Sequence, residues 1–130
     1  MKKTMAFGTL FFLFIIMNIV FAGVLEAILP EQGFKLQLEK KAIILDVREP
    51  KELSIGKIKG AINIPLSVMN NDRFHWDQKI AEIKKDLTVL VYCHSGRRAE
   101  IVGAEIAKKG FRVLNMGSYD SWKLKNLPTE

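Results

Sequence analysis

Short, continuously apolar runs alternate with segments of helical period between residues 43 and 114, and that alternation permits few architectures. A strand that is apolar at every position is buried on both faces, which demands a layer above and a layer below its sheet. Ile43-Ile44-Leu45 running into Asp46-Val47 is one such strand, and Val89-Leu90-Val91 between Thr88 and Tyr92 is another. Ile62-Asn63-Ile64, stopped by Pro65, reads as a short third strand, and Phe111 to Leu114 as a later one. Between these runs the period changes. Ala99, Val102, Gly103, Ile106 and Ala107 recur at helical spacing from about Arg97 to Lys109, with Arg98, Glu105, Lys108 and Lys109 left for water. Gly110 is placed to close that helix, with Lys108 and Lys109 at its negative end. Pro50 suits the first turn of a short helix ending near Leu53, and Asp77 to Lys85 is expected to be a short surface helix. The polar stretch Met69 to Gln78 reads as a loop in which Phe74 and Trp76 are anchors packed on the domain. Strands alternating with helices predict a parallel α/β sheet.

The first 22 residues stand apart from this pattern. Lys2 and Lys3 precede an apolar run from Met5 to Ala22 that is interrupted only by Gly8, Thr9 and Asn18. A positive start, an apolar core and a small residue at the end are the parts of a secretory signal, with cleavage expected after Ala22. The run is also close to the roughly 20 residues that span a bilayer, so an uncleaved anchor is the alternative. Both readings carry residues 23–130 across a membrane, to an exported, periplasmic or other extracytoplasmic location, because the positive end stays inside. The expected organisation is a signal peptide or membrane anchor over 1–22 and one domain over 23–130, a size that leaves no room for a second large domain.

With Lys2 and Lys3 removed, the net charge falls from +6 to +4. The excess suits solubility and anionic small molecules. It forms no basic stripe with interleaved aromatics, so nucleic acid is not an expected partner. The single cysteine, Cys93, has no internal partner for a disulfide, and is therefore either an inert core side chain or a reactive thiol. His75 and His94 are far apart in sequence and no Gly-rich nucleotide motif is present, so neither a metal nor another cofactor is expected.

The surroundings of Cys93 favour reactivity. It falls where an apolar strand ends, and His94-Ser95-Gly96 returns the chain into the helix that Arg97, Arg98 and Ala99 begin. The first N–H groups of a helix have no partner within it and point at whatever sits in such a loop. Together with the helix dipole they stabilise an anion there, here a thiolate. Arg97 and Arg98 add positive charge at a helix start, where arginine opposes the dipole unless an anion is bound.

Cys93-His94-Ser95-Gly96-Arg97-Arg98-Ala99 after an apolar strand resembles the active loop of the rhodanese family. Leu45-Asp46-Val47-Arg48-Glu49, Gly56-Lys57-Ile58-Lys59-Gly60-Ala61-Ile62-Asn63-Ile64-Pro65, and Gly110-Phe111-Arg112-Val113-Leu114 through Gly117, Trp122, Leu127 and Pro128 resemble three further segments of that family, in the same order. The similarity spans about residues 34–130. Lys57 stands where the family often has His, and Asn126 where Gly usually precedes the Leu-Pro ending.

The resemblance implies a five-stranded parallel sheet with helices on both faces, in a single-domain thiosulfate sulfurtransferase, expected to be a monomer. It implies that Cys93 is the catalytic nucleophile and carries sulfur as a persulfide. The donor is a small anion such as thiosulfate, and the acceptor is a thiol, cyanide or a protein. His94, Ser95, Gly96, Arg97 and Arg98 are the implied substrate-binding residues, through loop amides and the two guanidinium groups, and Asp46 and Arg48 brace the loop. A sulfur-relay or non-catalytic binding module uses the same loop and is the alternative. Phosphatase or arsenate reductase chemistry on this fold needs a wider loop with an arginine six positions after the cysteine; Ala99 stands there instead. A disulfide oxidoreductase lacks its second cysteine.

Overall fold

The computed structural model describes residues 24–130, so the signal or anchor segment lies outside the described residues. Five strands form one sheet: β1 (Glu26–Ala27), β2 (Ala42–Asp46), β3 (Ile62–Asn63), β4 (Thr88–Cys93) and β5 (Val113–Ser118). Their spatial order is β1-β5-β4-β2-β3, and every pairing is parallel. The helices are α1 (Pro30–Leu38), α2 (Leu66–Asn71), α3 (Arg73–Ala81), α4 (Arg97–Lys108) and α5 (Tyr119–Leu124), with a 3₁₀ helix over Pro50–Ile55. None of these is long and apolar enough to cross a membrane.

The unbroken apolar character of β4 has a direct cause, because alternate side chains serve two different cores. Val89, Val91 and Cys93 point to one side, where they join Trp76 and Ile80 of α3 and Val102 and Ile106 of α4. Leu90 and Tyr92 point to the other, where they meet Met116, Trp122 and the partly buried Phe34 and Leu36 of α1. Leu45 and Ile44 of β2 divide in the same way. The sheet is thus covered on both faces, as the apolar runs require.

Two expectations are corrected. Residues 69–78 are not a loop: they belong mostly to α2 and α3, and the helix expected from Asp77 starts at Arg73 and stops at Ala81. Asp72 explains the early start, because its side chain accepts the His75 N–H (3.1 Å) and caps the helix. Trp76 is accordingly a fully buried core residue, whereas Phe74 is 75% exposed. The second correction concerns β5, which begins at Val113 and continues past Leu114 to Ser118 through a bulge. Val91 pairs with Asn115 and Tyr92 with Gly117, leaving Met116 as the extra residue. Gly110 closes α4 as expected, with φ +92° and its N–H on the Ala107 carbonyl.

Candidate functional site

Cys93 is the last residue of the central strand, and β4 delivers it to the carboxyl edge of the sheet, where open parallel sheets place their ligand sites. His94 and Ser95 turn outward and are exposed. Gly96 then takes a left-handed φ of +91° and α4 begins at Arg97. A Cβ at residue 96 would stand 3.3 Å from the Gly117 Cα, so glycine is required by both conformation and space.

The sulfur is held from above. The Gly96 N–H donates to Cys93 Sγ at 3.0 Å, while the Arg97 N–H is taken by Ser95 Oγ at 3.4 Å. Of the amides expected to surround the sulfur, Gly96 is therefore the one that reaches it in this state. Cys93 is also fully buried and belongs to the core cluster with Val47, Val91 and Ala99. Its surroundings combine an apolar floor with a polar loop one turn thick.

The two arginines separate. Arg98 forms a two-pronged ion pair with Glu52 of the 3₁₀ helix, Nη1 to Oε2 at 2.6 Å and Nη2 to Oε1 at 2.8 Å. The Arg98 guanidinium holds the Glu52 carboxyl at a pKa of about 2, and Glu52 raises that of Arg98 in return. Arg98, implied to bind the donor, is thus engaged by Glu52 in this arrangement. Arg97 is exposed, and its guanidinium makes no ion pair among the described residues. Ala99, six residues after the cysteine, is buried in the first turn of α4.

Asp46 and Arg48 form a buried ion pair, Nη2 to Oδ2 at 2.7 Å and Nε to Oδ1 at 3.0 Å. Burial disfavours the Arg48 charge, but the Asp46 carboxylate beside it prevails and raises its pKa. Arg48 Nη2 also donates to the Gly56 carbonyl (2.9 Å), closing the segment that contains the 3₁₀ helix. The brace expected of these two residues therefore acts on Pro50–Gly56, and reaches the cysteine loop through Glu52 and Arg98 and, from below, through Tyr92 beside Cys93. Tyr92 completes it. Its hydroxyl donates to Asp46 Oδ2 (2.5 Å) and accepts the Ile58 N–H (3.1 Å), and burial with the Asp46 carboxylate drives its pKa upward.

Three residues at the site carry no signal in the sequence. Glu52 lies 46 positions from Arg98, Tyr92 reads only as a strand residue, and Asn115 reaches across from β5 to the Gly96 carbonyl at 3.0 Å. Among the described residues no three His, Cys, Asp or Glu side chains gather as a metal site. A cavity of about 600 Å³ is lined by Lys40, Ala42, Ile43, Ile62 and Leu87 among others. It does not approach Cys93.

Residues 31–125 match the family model described as rhodanese-like domain. The chain is 32% identical over 88 residues to a sulfurtransferase of Allochromatium vinosum, covering 66% of this chain and 76% of that protein. It is 31% identical over 93 residues to thiosulfate sulfurtransferase 16, chloroplastic, of Arabidopsis thaliana, covering 66% of this chain and 78% of the relative. Among solved structures, a rhodanese-related protein from Thermoplasma volcanium superimposes with a TM-score of 0.66 at 26% identity. That likeness covers 81% of this chain and 97% of the other.

Proposed function

From the premise that this chain belongs to the rhodanese-like domain family, whose sulfurtransferase members support sulfur transfer in general, we propose that it moves sulfane sulfur through a persulfide on Cys93. The observation that carries the reading is the Gly96 N–H aimed at Cys93 Sγ from a loop at the mouth of the sheet. A main-chain donor so placed favours a sulfur anion, whether thiolate or persulfide, over an uncharged group.

The Cys93 thiolate attacks the outer sulfur of thiosulfate. A bond forms between Cys93 Sγ and that sulfur, the sulfur–sulfur bond of the donor breaks, and its electron pair leaves with sulfite. A thiolate or cyanide then attacks the outer sulfur of the Cys93 persulfide, takes it as a persulfide or thiocyanate, and returns the Cys93 thiolate. Thiosulfate is favoured as donor by its charge, which Arg97 is free to attract, and by the chloroplastic relative described above as a thiosulfate sulfurtransferase.

Because solvent does not reach Cys93, this cycle requires the loop His94–Arg97 to lift before the donor can touch the sulfur. The same burial favours a second reading, in which a partner protein opens the loop and the domain relays sulfur to it. Steady-state turnover of thiosulfate with cyanide or a small thiol separates the two. The enzyme reading expects continuous sulfite release with dependence on Cys93. Release that stops after one equivalent per chain would mark a relay. Export completes the reading: the positive start and apolar run of residues 1–22 would deliver the domain beyond the cytosol, where a lone thiol gains from lying under a loop.

A further inference from the structure

Gly96 is the freest residue of the loop, yet the direction of its N–H decides what the sulfur meets. Its orientation must be imposed from outside. The Gly96 carbonyl accepts two hydrogen bonds, from the Glu100 N–H of the first helical turn (3.0 Å) and from Asn115 Nδ2 (3.0 Å). Asn115 sits at the β5 bulge, and its carboxamide is fully engaged. Nδ2 also donates to Glu100 Oε2 (2.9 Å), and Oδ1 accepts the Gly117 N–H (2.9 Å). Glu100 is steadied in turn by the Leu25 N–H on its other oxygen (2.6 Å). With both N–H bonds and the oxygen used, the amide can point only one way.

We propose that Asn115 is a positioning residue for sulfur transfer: by holding the Gly96 carbonyl, in the peptide that follows, it restricts rotation about Gly96 and so keeps the Gly96 N–H on Cys93 Sγ. The inference rests on reading Cys93 as the sulfur carrier. Asn115 is the last residue of β5 in regular register, opposite Val91, and the bulge at Met116 that follows it brings Gly117 opposite Tyr92, one residue before the nucleophile. Asn115 does not touch the reacting sulfur in this arrangement, and acts through Gly96.

Asn115→Asp is close to isosteric. It keeps the acceptor for Gly117 and turns the donor into an acceptor facing the Gly96 carbonyl and Glu100. Sulfur uptake from thiosulfate is followed by intact mass in wild type, Asn115→Asp and Glu100→Ala. For Asn115→Asp the saturating rate is expected to fall about tenfold, the equivalent of one hydrogen bond to a charged group, with the half-saturating thiosulfate concentration unchanged. The amplitude stays at one sulfur per chain. Glu100→Ala removes the second partner of Asn115 from a half-buried position of α4 and suits the helix, so it decides the matter if the Asp variant does not fold; a fall of about threefold is expected. Rates equal to wild type, or a loss seen only as reduced amplitude with surviving molecules at full speed, would overturn the positioning role. A wild type that takes up no sulfur overturns the carrier reading and this inference with it, whereas wild-type uptake with unaffected variants overturns this inference alone.

Discussion

Arg98 and Glu52 lock together through two hydrogen bonds, 2.6 and 2.8 Å long, between the first turn of the helix after Cys93 and the 3₁₀ helix after β2. The pair joins two loops at the carboxyl edge of the sheet that are 46 residues apart in sequence. Glu52 Oε2 also accepts the Glu49 N–H (2.8 Å), and Glu49 in turn accepts from Ser67 at the start of α2 (Oγ, 2.6 Å). The rim around the cysteine is therefore tied to its neighbours on the β2 side by charge, and on the β5 side by Asn115.

Glu52 should make stability depend on acid in a defined window. Its folded pKa of about 2 is below the ordinary carboxyl value of 4.5, so its contribution is complete above about 4.5 and disappears as pH falls toward 2. Glu52→Gln is expected to cost on the order of 1 kcal/mol at pH 7, modest because both side chains are about a quarter exposed. Urea unfolding at a series of pH values should show the gap between wild type and variant closing between pH 5 and pH 2. A constant gap would mean that the pair does not act through the charge on Glu52.

Arg97 and Arg98 should give different phenotypes. Arg97→Ala is expected to raise the half-saturating thiosulfate concentration several-fold at low ionic strength, with the effect fading as salt screens the charge. Arg98→Ala should act on unfolding free energy, with an apparent donor affinity near wild type. Thiosulfate saturation curves at two salt concentrations distinguish them, and equal affinity losses in the two variants would contradict the division of roles.

The buried Asp46–Arg48 pair should be intolerant of losing either member. Arg48→Ala leaves a buried carboxylate without its cation, at a cost of about 3–5 kcal/mol. Tyr92→Phe is gentler. It deprives Asp46 of a donor and the Ile58 N–H of an acceptor, at a cost of about 1–3 kcal/mol. Chemical unfolding of both variants tests the order of these effects. A Tyr92→Phe variant as unstable as Arg48→Ala would show that the hydroxyl, and not the ion pair, holds the segment.

Strands β2, β3 and β4 and the helix after Cys93 were legible because their signals are local, whereas the two-residue β1 was not among the runs read. Val89 to Val91 are apolar in succession, and the period changes at Arg97. The helices over 66–81 escaped because Asn70, Asn71 and Asp72 read as a loop, whereas the Asp72 side chain in fact caps a helix that tertiary burial of Trp76 and Ile80 completes. The site divides in the same way. Cys93 and Gly96 follow from the strand–loop–helix pattern, but the partner of Arg98 does not, since nothing in a sequence pairs residue 52 with residue 98. Asn115 owes its role to contacts with Gly96 and Glu100, which are 19 and 15 residues away and leave no trace in the apolar pattern of β5. The burial of Cys93 likewise depends on how closely the loop packs over the strand end, through the approach of Gly96 to Gly117.

The intact mass of the protein after incubation with thiosulfate tests the account at its centre. Wild type should gain one sulfur atom per chain, removable by cyanide or thiols, and Cys93→Ser should gain none. A wild type of unchanged mass, with Cys93 also inert toward a small alkylating agent at neutral pH, would mean that the loop never lifts and that the cysteine is a core side chain.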